Sequence, residues 1–150
     1  MSISISFFFN SKNILSINDI ANFLIKNMSL RFENIDSNTW ICDFYSCHLT
    51  LADNHGFVND MEIDFEKYKF MISLKIWSYN LHLYDLIINE MINLSVFLCL
   101  SFKLNGIFIY NTEQLLSHIE LRDNNLIDLR TNKNLSILEL INNIFLLLNQ

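Results

Sequence analysis

The chain has 150 residues, a formal net charge of −6 and a hydrophobic fraction of 51%. This composition supports a full core and excludes a disordered chain, and the length fits a single domain spanning residues 1–150. The Lys and Arg residues occur singly rather than in a basic cluster, which argues against nucleic acid and favours a basic protein as the partner.

The N-terminal region predicts a strand followed by a helix. Residues 2–9 alternate serine with isoleucine and phenylalanine, the period-2 pattern of a strand. Ser16 and Asp19 have the spacing of a capping box, which marks the first turn of a helix, and Lys26 suits its last turn. The apolar stripe predicted for this helix comprises Ile17, Ile20, Ala21, Leu24 and Met28.

The middle of the chain predicts antiparallel strands. Residues 30–35 and 40–51 are expected to form a hairpin around the polar turn 36–39. Residues 68–77 continue in extended conformation, because apolar and polar side chains alternate along them. The face of this strand predicted to be buried carries Phe70, Ile72, Leu74 and Ile76.

Two apolar segments follow. Residues 80–93 predict a second helix with a stripe of Tyr84, Ile87, Ile88 and Met91. Residues 95–104 are almost continuously apolar, which predicts a central strand covered on both faces. The strongest hydropathy window, 91–102, is shorter than the roughly 20 residues that a membrane-spanning helix needs. No membrane association is therefore expected.

The C-terminal region opens with a strong turn signal. Asn105-Gly106 lies between two apolar stretches and predicts a type I′ hairpin turn. Asn111 or Thr112 is expected to cap a short helix that ends near Ile119, and residues 119–130 stay unassigned. A final helix is expected to begin after an Asn134 cap. Its predicted buried stripe comprises Leu138, Ile141, Phe145 and Leu148.

These elements predict an α+β domain. Hairpins outnumber crossover connections, which favours a mostly antiparallel sheet over a doubly wound parallel one. We expect about three to four helices packed mainly on one face of the sheet, with the other face partly exposed.

The stretch from Asp60 to Glu66 alternates carboxylates with bulky apolar residues. In a strand, every second side chain shares a face, so the carboxylates would form one row with a spacing of about 6.6 Å. Such a row suits a basic partner, although a half-buried strand with a solvated face has the same pattern. The carboxylates of this acidic row are Asp60, Glu62, Asp64 and Glu66.

Two further residues are candidate partner contacts. Asp53 precedes the acidic row and adds another carboxylate near it. Trp77 lies beside Ser73 and Lys75 on the more polar face of its strand, where an exposed indole would be a typical interface anchor.

No catalytic, metal or cofactor site is predicted. The spacing of Cys42, Cys47, His48 and His55 matches no standard zinc pattern, and Cys42 and Cys47 would face opposite ways in one regular strand. The segment from Asp53 departs from the calcium-loop pattern at its third, fifth and sixth positions. No serine has a glycine-flanked nucleophile elbow. We therefore expect a protein that is not an enzyme and binds no cofactor.

Cysteine usage indicates the compartment. The three cysteines, Cys42, Cys47 and Cys99, are an odd number in apolar surroundings, which fits buried thiols in a reducing cytosol. The N-terminus lacks the basic start of a signal peptide. We expect a cytoplasmic protein.

In size, acidity and patterning the chain resembles bacterial immunity proteins, the antidotes to polymorphic and contact-dependent growth-inhibition toxins. The resemblance is most concrete at the stretch from Asp60 to Glu66. It implies a stoichiometric inhibitor that neutralises a cognate toxin, here a nuclease with a basic cleft, through an acidic surface.

The alternative is an intracellular interaction or scaffold domain that self-associates through its sheet, for example as a homodimer. Residues 2–9 are the candidate edge strand for that function, because neither Lys nor Pro interrupts them.

Overall fold

The computed structural model describes six stretches of the chain. They are 2–11, 16–54, 67–77, 82–111, 114–122 and 125–149. Within them, nine strands form one sheet in which every neighbouring pair is antiparallel. Three helices accompany the sheet, which confirms a sheet-dominated α+β fold.

The strands are β1 (Ser2–Ser11), β2 (Glu33–Asp36), β3 (Thr39–Phe44), β4 (Cys47–Asp53), β5 (Phe70–Trp77), β6 (Leu104–Tyr110), β7 (Gln114–Arg122), β8 (Asn125–Asp128) and β9 (Lys133–Leu135). The helices are α1 (Ile17–Met28), α2 (Tyr84–Phe102) and α3 (Ile137–Leu148). Across the sheet the strand order is β2-β3-β4-β5-β1-β6-β7-β8-β9.

The first strand lies at the centre of the sheet. β1 pairs with β5 on one side and with β6 on the other, so its prediction as a strand is confirmed. Its prediction as an edge strand is wrong, because both of its backbone edges are hydrogen-bonded. The strands at the ends of the described sheet are the short β2 and β9.

Two buried clusters lie on the sheet. The larger one contains Ile5, Phe7 and Phe9 of β1 together with the buried residues of all three helices. The smaller one contains Phe8 and three other buried residues, namely Tyr68, Ile107 and Ile109. Because side chains alternate along a strand, β1 contributes to the larger cluster with one face and to the smaller cluster with the other.

The predicted turn at Asn105-Gly106 is wrong, because both residues lie inside β6. Gly106 pairs with Phe9, and a Cβ there would lie 2.5 Å from the ring of Phe7 and 2.6 Å from the carbonyl oxygen of Phe8. The glycine therefore makes room for an aromatic ring of the neighbouring strand. That ring also stacks on Phe108, with centroids 4.6 Å apart.

The strand predicted at residues 95–104 is also wrong, because helix α2 continues through this region to Phe102. Lys103 ends the helix in the left-handed conformation, with φ 55°. By length and composition α2 alone among the described helices could cross a membrane, but half of its apolar window is buried in the fold. A core helix has the same composition, since it is covered on most sides.

Two further predictions near the turns differ from the structure. The predicted strand 40–51 is two strands, β3 and β4, joined by a turn at Tyr45 and Ser46. Both turn residues have positive φ, 50° and 63°, as a type I′ turn requires. The predicted short helix that would end near Ile119 is wrong, because β7 occupies that region.

The two terminal helices are capped alike. α1 begins after the predicted capping box of Ser16 and Asp19, which is confirmed. α3 begins after a second capping box, formed by Ser136 and Glu139, so the predicted Asn134 cap is wrong. Its buried residues are Leu140 and Ile144, whereas Leu138, which was expected inside, is 66% exposed.

Candidate functional site

The acidic row lies outside the described residues. Asp60, Glu62, Asp64 and Glu66 all belong to residues 55–66, which connect β4 to β5. The two ends of this connection are held together by hydrogen bonds from Asn54: its backbone N–H donates to the carbonyl of Lys69 at 2.8 Å, and its side-chain amide to the carbonyl of Tyr68 at 2.9 Å. The residues that flank the carboxylate-rich segment, Asn54 on one side and Tyr68 and Lys69 on the other, are therefore neighbours in the structure.

Asp53 is the last residue of β4 and lies beside this place. It pairs with Phe70 across the sheet, and its backbone N–H donates to the carbonyl oxygen of Asn38 at 3.1 Å. The side-chain amide nitrogen of Asn38 can donate a hydrogen bond to the carboxylate of Asp53, at 3.0 Å. The carboxylate is thus positioned by the turn before β3 and stays half-buried at the end of the sheet.

Trp77 is the last residue of β5. Its indole is half-buried, and the Nζ of Lys75 lies 4.5 Å from the ring centroid. A cation above an aromatic ring contributes about 0.5–1 kcal/mol at exposed sites, so the two side chains steady one another. They form a basic and aromatic corner rather than an acidic one.

The structure does not bring Asp53 and Trp77 together. Asp53 pairs with Phe70, and Trp77 lies seven residues further along the same strand. At roughly 3.3 Å per residue the two positions are about 23 Å apart along the strands, at opposite ends of β5. Their side chains also point to opposite faces, because Asp53 lies opposite Phe70 and Trp77 is an odd number of residues further along β5. No single face of the sheet therefore presents both.

A polar patch crosses three strands at the Trp77 end of the sheet. Asp43 pairs with His48, and His48 in turn pairs with Lys75. All three side chains are exposed. Arg31 and Glu33 join Asp43 and His48 around a cavity of about 480 Å³. The patch carries both charges, so it has no single-sign field.

The cysteines differ from expectation in their geometry. Cys42 and Cys47 lie in neighbouring strands, and the pairs Cys42–Leu49 and Phe44–Cys47 put them on the same face. The prediction of opposite faces is wrong, because it assumed one continuous strand. All three cysteines are buried thiols outside any disulfide, and burial raises the pKa of the Cys99 thiol to about 12. Within the described stretches, no group of three metal-binding side chains comes together.

Tyr68, a member of the smaller cluster, forms a pair with His118. A 2.9 Å hydrogen bond joins the hydroxyl of Tyr68 to Nε2 of His118. Burial and the guanidinium of Arg130 lower the pKa of His118 from its ordinary value, against the opposing effect of Asp128 and Glu120. The neutral imidazole is therefore favoured, and in that state its ring nitrogen can accept a hydrogen bond from the Tyr68 hydroxyl.

A groove between α2 and α3 was not predicted from the sequence. It has a volume of about 620 Å³ and is lined by Asp85 and Leu86 from α2 and by Leu138, Ile141 and Phe145 from α3. Four asparagines, Asn89, Asn93, Asn142 and Asn149, complete the lining. No sequence signal indicates the groove, because the apolar residues of α3 are too many to define one buried face.

A second cavity, of about 540 Å³, adjoins this groove at the N-terminus of α2. The two share Asp85, Leu86 and Asn149. Tyr84 and Tyr110 line the second cavity, and burial, with smaller contributions from Tyr110 and Asp85, raises the pKa of Tyr84 to about 12. The Tyr84 hydroxyl therefore remains protonated at neutral pH and available as a hydrogen-bond donor.

Comparisons with known proteins returned no matching family model, no matching curated protein and no matching solved structure.

Proposed function

We propose that this protein is a stoichiometric inhibitor of a basic protein, an immunity protein that neutralises a toxin of the nuclease class. The observation that carries the proposal is the density of carboxylates in the acidic row, four within the seven residues 60–66. Support comes from the hydrogen bonds of Asn54 to Tyr68 and Lys69, which join the residues that flank the connection 55–66.

Charge explains how such a surface would inhibit. A nuclease holds phosphate with Lys and Arg, and carboxylates paired with those residues prevent them from binding nucleic acid. Opposite charge also speeds the encounter of the two proteins. Such inhibition involves no catalysis and no cofactor, and we place it in the cytoplasm, where an incoming nuclease would meet its substrate.

We infer that the helices cover mainly one face of the sheet. Their buried residues share a cluster with Phe7 and Phe9, whereas Phe8 belongs to the other cluster. The opposite face then keeps the polar patch and Trp77 available to a partner. Asp53 lies opposite Phe70, on the face of the larger cluster, so a partner on the polar patch would meet Trp77 but not Asp53.

Co-expression provides the direct test of the proposal. The toxin domain encoded beside this gene in its source genome is expressed in a sensitive strain with and without the chain, and survival is counted. We expect the chain to restore growth and to form a one-to-one complex. If the neighbouring genes encode no toxin, or if growth is not restored, the proposal fails.

Charge reversal locates the contact. Changing Glu62 and Asp64 together to Lys should weaken the complex by several kcal/mol, on the order of the like-charge penalty at an interface. Calorimetry at two salt concentrations measures the loss, and the wild-type association rate should fall as salt rises. The matched control is Glu33 with Asp36, two exposed carboxylates of β2, also changed to Lys. Equal losses in both variants would assign the effect to net charge rather than to the acidic row.

Self-association is the alternative function. Antiparallel pairing of two β2 strands about a twofold axis would bring Glu33 opposite Asp36, so like charges disfavour this edge. The strand at the other end of the described sheet, β9, is only three residues long. A homodimer would then use the exposed face of the sheet. Light scattering after size exclusion distinguishes the two functions, since the inhibitor is expected to be monomeric without its toxin.

A further inference from the structure

The groove between α2 and α3 combines exposed leucines with a continuous open path. Leu86 is 45% exposed and Leu138 is 66% exposed, one on each helix bordering the groove. The adjoining cavity at the N-terminus of α2 prolongs the groove past Asp85. Large apolar side chains at this exposure, in a groove rimmed by polar groups, mark an interaction surface.

The charge of the two helices has one sign. α2 carries Asp85 and Glu90, α3 carries Glu139, and neither helix contains Lys, Arg or His. Asp85 is exposed where the groove meets the second cavity, and Glu90 lies one turn further along α2 from Leu86. A ligand in this groove therefore meets apolar side chains, asparagine amides and the carboxylate of Asp85.

The dimensions suit a helix. The α2 side of the groove extends over the nine residues from Asp85 to Asn93, about 12 Å along the helix axis. In a helix bundle, a third helix packs into the groove between two neighbouring helices. A helix bound in this way contacts the groove with apolar residues at positions i, i+3 or i+4, and i+7. The asparagines along the lining supply hydrogen bonds at the edge of such a contact.

We propose that the α2–α3 groove binds a basic amphipathic helix of a protein partner. The apolar face of that helix packs on Leu86, Leu138 and Phe145, and its Lys or Arg residues meet Asp85. Asp85 in the lining, with Glu90 and Glu139 elsewhere on the two helices, favours this occupant over the alternatives: the α2 and α3 helices of a second copy are themselves acidic, and an anionic lipid surface would be repelled. The groove operates independently of the inhibitor proposal, whose acidic row follows Asp53 at the far end of the sheet.

Synthetic peptides test the charge selection on the intact protein. The probe is a labelled helical peptide of about 14 residues, with Leu at helical spacing and Lys on its flanks. Its matched partner carries Glu at every Lys position. Fluorescence anisotropy should show saturable binding of the Lys peptide and at least about tenfold weaker binding of the Glu peptide. Equal binding of both peptides, or of neither, would overturn the proposal.

Two leucines of α3 provide a matched pair for locating the site. Leu138→Ser and Leu146→Ser change residues that are 66% and 67% exposed on the same helix, and of the two only Leu138 lines the groove. We expect Leu138→Ser to weaken the Lys peptide about tenfold or more, because an apolar anchor is lost without a change of charge, and Leu146→Ser to change its affinity by less than about twofold. Circular dichroism establishes that both variants fold. Equal effects of the two substitutions would contradict the assignment to this groove.

Asp85 tests the charged contact separately. Asp85→Lys should abolish the preference for Lys over Glu in the peptide, whereas Glu33→Lys on the distant β2 should leave that preference unchanged. Vesicles of phosphatidylglycerol and phosphatidylcholine serve as a competing probe. Tight binding of wild type to these vesicles, relieved by Leu138→Ser, would assign the groove to lipid and overturn the proposal.

Discussion

The two sides of β1 are built differently although they belong to the same residues. On one side Phe7 stacks on Phe108 and Phe9 in the cluster that includes all three helices. On the other side Phe8 lies in a cluster of four buried residues, and Ser6 bonds to Ser73. The side of β1 in the larger cluster is thus held by apolar packing, whereas the side in the smaller cluster combines a few apolar contacts with specific hydrogen bonds. Substitutions on the two sides should accordingly differ in size and in their dependence on pH.

Removing a ring from the helix side should have the largest effect. Phe7→Ala should destabilise the fold by about 3–5 kcal/mol, because it removes a fully buried ring and leaves a cavity among packed rings. Phe8→Ala is its control on the other strand face, and we expect a loss about 1 kcal/mol smaller, since the smaller cluster can relax into the space. Urea unfolding measures both. A greater loss for Phe8 would reverse the comparison.

Adding a methyl group beneath Phe7 should have the next largest effect. Gly106→Ala should destabilise by about 1–3 kcal/mol, because the new Cβ overlaps the Phe7 ring. In a Phe7→Leu background the loss should become smaller but not vanish, since the Phe8 carbonyl oxygen remains 2.6 Å from the Cβ. A double-mutant cycle by urea unfolding separates the two contacts. Strict additivity would show that the ring moves aside freely.

Sequence patterns predicted the elements whose signals are local. The alternation of β1 and β5 and the capping box of α1 are all confirmed. They were predictable because an alternating strand or a cap is specified within a few residues. The continuous apolar run 95–104 was not, since periodicity alone does not separate a buried strand from a buried helix.

The remaining errors have long-range causes. Asn105-Gly106 has the sequence of a turn, but Gly106 is required by Phe7, a residue from the other end of the chain. The turn at Tyr45 and Ser46 was missed because neither residue is the Gly or Asn that usually accepts positive φ. The α2–α3 groove arises from the packing of two distant helices, so no local pattern could specify it.

The polar side of β1 offers a smaller test. Ser6 and Ser73 share a 2.9 Å hydrogen bond between their hydroxyls, and Ser6 is buried. Ser6→Ala should destabilise by about 0.5–1.5 kcal/mol, because the hydrogen bond is lost. Ser73→Ala should have a similar effect, and the double variant should lose less than the sum of the two. Thermal melts of the three variants measure this coupling, and its absence would show that water replaces the contact.

The smallest effect that we expect is a dependence of stability on pH, and it should come from His118, on the Phe8 side of β1. Because the folded pKa of His118 is lowered, the unfolded state binds more protons around that pKa. The contribution of His118 to stability is therefore complete above its unfolded pKa, about 6.5, and is lost as pH falls through the folded value. Replacing His118 with Gln should flatten this part of the stability–pH curve, measured by urea unfolding between about pH 5 and 8. His48→Gln, at an exposed position of β4, is the control and should retain the slope. If His118→Gln retains it too, the loss of stability in acid arises elsewhere, and the Tyr68 hydrogen bond does not depend on a neutral imidazole.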